Sequence, residues 1–309
     1  MRSMLAALPI LLLLASCELT EITIASPQDV IITELVLRAN DPLQTAYVHR
    51  TVTPGAAGAV PNATIIVRDE TAGTSFTLAP TGDSVCLQGA PPNTLNGGAT
   101  CYAANVSTTA VRPGARYTLR VEMPDGRVAT GATVVPGAFA IIQPGRARLN
   151  EFDTCGLPSG TAFDIIWTKS AGAAVYLTEA RLRNLRQALR ASGLEIAGND
   201  AVELGGLSIG ASDTIMRFPS DLGLFDRFDD DLIPLLLAIR DGLPAGVDVT
   251  LVVAAADRNY VNWVRGGNFN PSGVVQISSI QGDGRGVFGS LVNRRINIAT
   301  YPGSYPFCN

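Results

Sequence analysis

The chain has 309 residues, of which 47% are hydrophobic and 16% are charged, and its formal net charge at pH 7 is −4. An acidic balance argues against nucleic acid as a partner, because binding to phosphates needs a surplus of Lys and Arg. The sequence holds one histidine, His49, so any histidine-based metal site or catalytic triad would have to use it. The length suffices for two hydrophobic cores, and we expect two domains.

The N-terminus predicts a lipoprotein signal. An apolar run that begins near Met4 follows a charged start, is too short to span a bilayer and ends in the small residues Ala15 and Ser16 before Cys17. This order resembles the bacterial lipobox, in which the cysteine sulfur receives a diacylglyceryl group and the new amino terminus is acylated. We therefore expect residues 1–16 to be removed as a signal peptide and Cys17 to carry the lipid.

Two or three acyl chains hold a protein at a membrane almost permanently, whereas one chain binds reversibly. Residues 17–28 would then form a lipidated tether, and the membrane would be reached through N-terminal acyl chains. Glu18 follows the cysteine, and a residue other than Asp at that place favours the outer membrane of the cell envelope. An ordinary secretory signal with a chance cysteine is the alternative, and it also implies export.

Four further cysteines predict two disulfides, since an exported chain with an even number of cysteines usually pairs them. Three connectivities are possible. We favour Cys86–Cys101, which closes a short loop, and Cys155–Cys308, which ties the C-terminus to the start of the second half. A zinc site would need close Cys-x-x-Cys pairs or accompanying histidines, so we expect no metal and no cofactor.

Residues 29–143 have the pattern of an all-β domain. In the run from Tyr117 to Glu122, apolar and polar residues alternate as in a half-buried antiparallel strand, and Pro124-Asp125-Gly126 then supplies a turn. Seven such strands in about a hundred residues predict an immunoglobulin-like or transthyretin-like β-sandwich. The predicted strands are Val30–Leu37, Ala46–Val52, Thr64–Arg68, Ser75–Leu78, Cys101–Asn105, Tyr117–Glu122 and Ala129–Val135.

Residues 144–309 predict a β-rich α+β domain with two or three short helices. Leucines at helical spacing predict a helix over Glu179–Ser192, capped by Thr178, and a second helix over Leu232–Arg240 with Pro234 in its first turn. The predicted strands are Phe163–Thr168, Ala173–Leu177, Val247–Ala255, Val274–Ser279 and Arg295–Thr300.

An acidic cluster offers one candidate cation site. Asp226 and the run Asp229–Asp231 could supply the carboxylate oxygens that calcium prefers. Their spacing does not match an EF-hand, and a helix that starts directly after them would favour the same charges. We prefer the helix-start interpretation.

Gly284-Arg285-Gly286-Val287-Phe288-Gly289 matches the Gly-x-Gly-x-x-Gly pattern of dinucleotide sites. That pattern needs a following helix within a βαβ unit, whereas the residues after Gly289 predict a strand. We therefore expect these glycines to allow a tight turn or bulge at a crowded point.

Three arginines fall on one face of the predicted helix over Glu179–Ser192, namely Arg183, Arg186 and Arg190. They could meet anionic headgroups, but a solvated face is the preferred interpretation.

Several features together resemble the DUF4249 group of bacterial envelope lipoproteins. These are the lipobox, a β-sandwich with a strand starting in Val60–Ile65, a short helix bearing Tyr260 and Trp263, and the Gly-x-Gly-x-Phe-Gly-Ser segment that ends at Ser290. Members of that group often occur alongside TonB-dependent outer-membrane receptors. The resemblance implies a role beside a transport or attachment system, and it implies no catalytic residues.

Two functions follow as hypotheses. The first is a non-enzymatic binding or accessory module that contacts an outer-membrane receptor or a surface polymer. Tyr260 and Trp263 are its candidate contact surface, although both could instead close the second core. The alternative is an envelope hydrolase with carboxylates as acid and base, such as Asp226, Asp257 or Asp283, because that chemistry needs no histidine or cysteine.

Overall fold

The computed structural model describes residues 29–51, 58–87, 98–145, 153–196, 198–208, 210–223, 232–266, 277–300 and 307–308. The predicted signal, Cys17 and the tether lie outside these residues, as do Asp226 and Asp229–Asp231. The fold is mainly β, as predicted. None of the helices in the described part has the length and apolarity that crossing a bilayer requires.

All seven strands predicted in the first half are present, with ends within three residues of the prediction. Buried and part-exposed residues alternate strictly along β1, the pattern of a strand with one face on a core. The strands are β1 (Ile31–Ala39), β2 (Leu43–Arg50), β3 (Thr64–Asp69), β4 (Ser75–Thr81), β5 (Thr100–Asn105), β6 (Arg116–Glu122) and β7 (Val128–Val134), with a one-turn helix α1 (Asp83–Cys86) before β5.

These strands form an immunoglobulin-like sandwich of two layers. One layer has the order β1-β2-β5-β4 and the other has the order β3-β6-β7, while β4 pairs with both β5 and β3 and so belongs to both layers. Their inner faces share a core with fully buried Ile65, Tyr102 and Val121. Tyr117, near the start of β6, donates its hydroxyl to the carbonyl of Ala110 at 2.9 Å, which is the tyrosine corner typical of this architecture.

The second half is a β-rich α+β unit, as predicted, with three short helices among its described residues. A sheet with the order β12-β11-β14-β16 faces a smaller sheet with the order β13-β10-β8, and Trp167 and Tyr176 meet between them with ring centroids 5.3 Å apart. The strands are β8 (Ile141–Gln143), β9 (Thr154–Gly156), β10 (Phe163–Trp167), β11 (Val175–Arg183), β12 (Val202–Leu207), β13 (Ile215–Phe218), β14 (Asp248–Ala256), β15 (Ile280–Gly282) and β16 (Gly284–Ala299). The helices are α2 (Leu185–Ala191), α3 (Ile233–Ile239) and α4 (Arg258–Gly266).

The 16-residue strand β16 joins the two halves. Its first part pairs with β1 in parallel, from Ile31↔Gly284 to Ala39↔Val292, and its second part pairs with β14 in antiparallel. The short strand β15, directly before it, pairs with β7. The sandwich is therefore completed by strands from the far end of the chain, and the division predicted near residue 143 does not coincide with a break in the strand pairing.

The predicted helix over Glu179–Ser192 is wrong in its first part. Strand β11 continues to Arg183, and the helix covers only Leu185–Ala191. Buried residues alternate along β11, which lies between β12 and β14, so two strand partners override the leucine spacing. Thr178 lies in that strand and caps no helix. Asn184, with φ 60°, precedes the helix instead.

The expected solvated face is wrong for one of its three arginines. Arg186 is buried at 8% exposure, with its Nε donating to the carbonyl of Asn199 at 2.6 Å. Arg183, at the end of β11, and Arg190, 3.5 Å from the carboxylate of Asp200, are exposed.

Two strand predictions near the C-terminus need correction. The described part of Val274–Ser279 is irregular, and β15 begins only at Ile280. The strand predicted over Arg295–Thr300 begins eleven residues earlier, at Gly284, because β1 and β14 supply partners for different parts of it.

The glycines of the Gly-x-Gly-x-x-Gly segment open β16, and crowding explains them. A Cβ on Gly286, which has φ 127°, would lie 2.0 Å from the carbonyl oxygen of Thr33, and one on Gly289 would lie 2.9 Å from Cβ of Tyr260. These are approaches that real side chains do not make. The expectation of a crowded point is confirmed, and no helix follows the motif.

Candidate functional site

An open groove of about 630 Å³ lies on the outer side of β6 and β7, in the size range of small-ligand sites. Its wall residues come from four elements that are distant in sequence: β6, β7, β15 and the start of α4. The polar side chains of the lining offer hydroxyl, amide and guanidinium groups, and they are Arg116, Thr118, Arg120, Thr130, Asn259, Ser279 and Gln281. We call this site the β6–β7 groove.

Charge in the β6–β7 groove is nearly balanced. Arg120 and Arg116 both stand exposed on β6. The Arg120 guanidinium is held by Glu122 at 2.6 Å, and the Thr118 hydroxyl donates to Glu70 at 2.6 Å. The groove therefore presents many hydrogen-bonding groups with a small positive excess at Arg116. Such a lining suits a polar ligand more than an apolar one.

Helix α4 closes one end of the groove and is firmly attached there. The side-chain amide of Asn259 donates to the carbonyl oxygens of Ala132 at 2.8 Å and Phe288 at 2.9 Å. One residue thus ties the helix to both β7 and β16. These two hydrogen bonds fix the position of the Asn259 side chain in the groove wall.

The buried carboxylate of Asp257 fixes the start of α4. Its Oδ1 accepts the backbone N–H of Tyr260 at 2.9 Å, and its Oδ2 accepts the hydroxyl of Thr133 at 2.6 Å. The hydroxyls of Thr133 and Ser290 lie 2.9 Å apart. Asp257 is therefore the N-cap of α4. Its carboxylate also binds Thr133 on β7, whose hydroxyl lies beside that of Ser290 on β16. Burial raises the pKa of Asp257, against the hydrogen bonds from Thr133 and the backbone, which lower it.

We expect Asp257→Ala to lower the free energy of unfolding by about 2–4 kcal/mol, because it removes a helix cap and leaves a buried hydroxyl without its acceptor. Asp257→Asn keeps an acceptor for Tyr260 and should cost less. Urea unfolding monitored by circular dichroism measures both.

The pKa of Asp257 predicts a pH dependence that the Asn variant lacks. Since the folded-state pKa lies above its ordinary value of 3.8, the proton stabilises the folded state. This contribution is complete below the unfolded-state pKa and is lost as pH rises through the folded-state pKa. The stability of the native protein relative to Asp257→Asn should therefore fall as pH rises from about 4 toward neutrality. A difference that rises with pH would contradict the assignment.

Tyr260 and Trp263 have different surroundings. Tyr260 is part-buried and packs on a small apolar cluster with Val175, Ala256 and Val261, and burial raises the pKa of its phenol. Trp263 is part-exposed and lies one turn after Asn259, but it is not among the residues that line the groove. The use of Tyr260 and Trp263 as a contact surface stays a prediction.

The other polar residues singled out in the sequence lie elsewhere. His49, on β2, has its Nε2 3.8 Å from a carboxylate oxygen of Glu34, which raises the pKa of the imidazole. Asp283 accepts the backbone N–H of Val128 at 2.9 Å in the bend between β15 and β16. The described residues contain no group of three or more His, Cys, Asp or Glu side chains that could hold a metal ion.

Both predicted disulfides, Cys86–Cys101 and Cys155–Cys308, are present in the structure. Neither lines the β6–β7 groove. The groove could not be predicted from the sequence, because β15 joins β6 and β7 only through pairing between strands far apart in the chain.

Fold and site together define a mainly β protein with an immunoglobulin-like sandwich and a polar surface groove. No known family model matches the chain, and no curated protein matches it. The FN1–FN3 domains of chicken CNTN1 are similar at 11% identity over 87% of this chain and 69% of that one, with a TM-score of 0.23. The fibronectin(III)-like modules of Clostridium thermocellum CbhA give 8% identity over 90% and 92%, with a TM-score of 0.21.

A DUF4785 family protein from Legionella pneumophila is similar at 10% identity with a TM-score of 0.23. The match covers 72% of this chain, which spans about half of that protein, 51%. The fold assignment rests on the strand pairing and the tyrosine corner.

Proposed function

We propose that the protein is a lipid-anchored, non-enzymatic binding module of the cell envelope and that its ligand binds in the β6–β7 groove. The observation that carries the proposal is the groove itself, where hydroxyl, amide and guanidinium groups from four elements line one open channel. The lipobox-like N-terminus and the resemblance to DUF4249 envelope lipoproteins support the location. Acylated Cys17 would keep the groove close to the membrane.

The ligand that suits this lining best is a segment of a polar surface polymer. Hydroxyls and amides such as those of Thr118, Thr130 and Gln281 can exchange hydrogen bonds with polymer hydroxyls. An outer-membrane receptor is the other candidate partner, and the material that co-purifies with the protein distinguishes a polymer from a receptor.

The test is capture from native envelopes. The detergent-solubilised lipoprotein is purified after mild cross-linking, and the co-purified material is examined for polysaccharide and for protein. We expect polysaccharide with the native protein, and we expect Arg116→Ala to reduce its recovery about tenfold, as for loss of one hydrogen bond to a charged group. Stoichiometric recovery of an outer-membrane barrel without polysaccharide would contradict polymer binding and favour binding to a receptor.

Two controls make the result specific. Arg181→Ala removes another exposed arginine, from β11, where it lies 3.6 Å from Glu203, and it should not change recovery. Cys17→Ser prevents acylation and should release the protein from the membrane while groove binding to isolated polymer persists. If Arg116→Ala and Arg181→Ala recover the same amounts, the groove is not the binding site.

A further inference from the structure

A second, smaller cavity lies in the C-terminal unit, between the two facing sheets. It has a volume of about 60 Å³, room for a group of a few heavy atoms. Buried Trp167, Thr178 and Met216 form its inner end. Exposed Asp221 and Ile215 form its mouth, so a group inside could belong to a larger molecule outside.

One polar group of the cavity lining lacks a partner in the described part of the chain. Trp167 is 2% exposed, and its indole Nε1–H has no hydrogen-bond acceptor there. A buried donor without an acceptor costs about 1–3 kcal/mol. Trp167 therefore favours a cavity occupant that can accept a hydrogen bond.

A carboxylate at the mouth restricts what that occupant can be. Asp221 accepts the backbone N–H of Arg217 with one oxygen at 2.7 Å, and among the described residues its second oxygen has no other donor and can accept from a ligand. A carboxylate or phosphate would be repelled by this group. An ammonium group could pair with it but could not accept from the indole N–H. An alcohol does both, because a hydroxyl donates and accepts.

We infer that this cavity binds an alcohol group, such as the hydroxymethyl arm of a sugar, with the indole of Trp167 as donor and Asp221 as acceptor. The ring that carries the arm would rest on the exposed side chain of Ile215 at the mouth. The site is separate from the β6–β7 groove and shares no lining residue with it.

Indole NMR tests this inference directly, since the sequence holds two tryptophans. In the Trp263→Phe protein the remaining indole N–H resonance belongs to Trp167. We expect it to shift saturably with methyl glucoside and to stay in place with the 6-deoxy analogue, which lacks the alcohol. No shift with either glycoside at about 10 mM, tenfold above a weak millimolar dissociation constant, would overturn the inference and leave solvent as the occupant.

Two variants check the assigned contacts. Trp167→Phe removes the N–H and keeps an aromatic ring, and Asp221→Ala removes the carboxylate acceptor. Each should weaken glycoside binding about tenfold by calorimetry, while Thr77→Val, at an exposed position on β4, should not. Unchanged affinity in both cavity variants would also overturn the inference. Failure here leaves the envelope capture by the β6–β7 groove unaffected, so the two proposals are separable.

Discussion

Gly286→Ala should destabilise the protein by about 3–5 kcal/mol, the sum of backbone strain at positive φ and overpacking against a fixed backbone. Gly286 has φ 127°, and an added Cβ would lie 2.0 Å from the carbonyl oxygen of Thr33, its direct partner on β1. Backbone atoms in a paired strand cannot move aside as a side-chain tip can. Urea unfolding of the oxidised protein measures the loss.

Two glycines separate the strain from the clash. Gly126 has φ 87° with open space around its Cβ position, so Gly126→Ala reports backbone strain alone, about 1–2 kcal/mol. Gly210 has neither a positive φ nor a neighbour within 4 Å, so Gly210→Ala should change stability by about 0.5 kcal/mol or less. If Gly286→Ala costs no more than Gly126→Ala, the backbones of β16 and β1 accommodate the added methyl group and the expected clash is wrong.

The spectroscopic course of unfolding adds a second readout. Because β16 pairs with β1 in the sandwich and with β14 in the second unit, damage at Gly286 should affect both halves. We expect near- and far-ultraviolet circular dichroism to report one shared transition in the variant. Two separated transitions would mean that the halves unfold independently despite the shared strand.

Whether a strand could be predicted from the sequence depended on where that strand finds its partners. Strand β6 could be predicted, since apolar and polar residues alternate along it and a Pro-Asp-Gly turn follows it. The end of strand β11 carries a helical signal, because the leucines at 182, 185 and 189 fit helical spacing, although Leu182 lies in a strand between two others. Only the fold supplies those neighbours.

The candidate site also contains residues with a local sequence signal and residues without one. Asp257 was a candidate acid, and its place before Arg258 at a helix start is a local signal for a cap that the sequence does carry. The β6–β7 groove has no such signal, because Arg116, Thr130, Asn259 and Gln281 meet only after β15 has paired with β7. The cavity at Trp167 likewise depends on the facing of two sheets.

Removing the Cys155–Cys308 disulfide should cost more than removing Cys86–Cys101. The chain-entropy model gives about 5 kcal/mol for a loop of the first length and about 3 kcal/mol for the second, since their sequence separations are 153 and 15. Paired Cys→Ala variants, with unfolding free energies from urea titrations, measure both. A larger loss for the short loop would show that strain or local packing, and not loop length, sets the order.

Kinetics identifies where the Cys155–Cys308 constraint acts. In the folded protein, Cys308 also donates its backbone N–H to the carbonyl of Gly156 at 3.0 Å, and β9 pairs with β16 at Cys155↔Ile298. These contacts survive in the Cys→Ala pair and hold the native C-terminus in place. The entropy of the unfolded chain therefore changes most, so refolding should slow while the unfolding rate stays nearly constant. Stopped-flow measurements in urea give both rates, and a variant whose loss lies mainly in faster unfolding would locate the stabilisation in the native state instead.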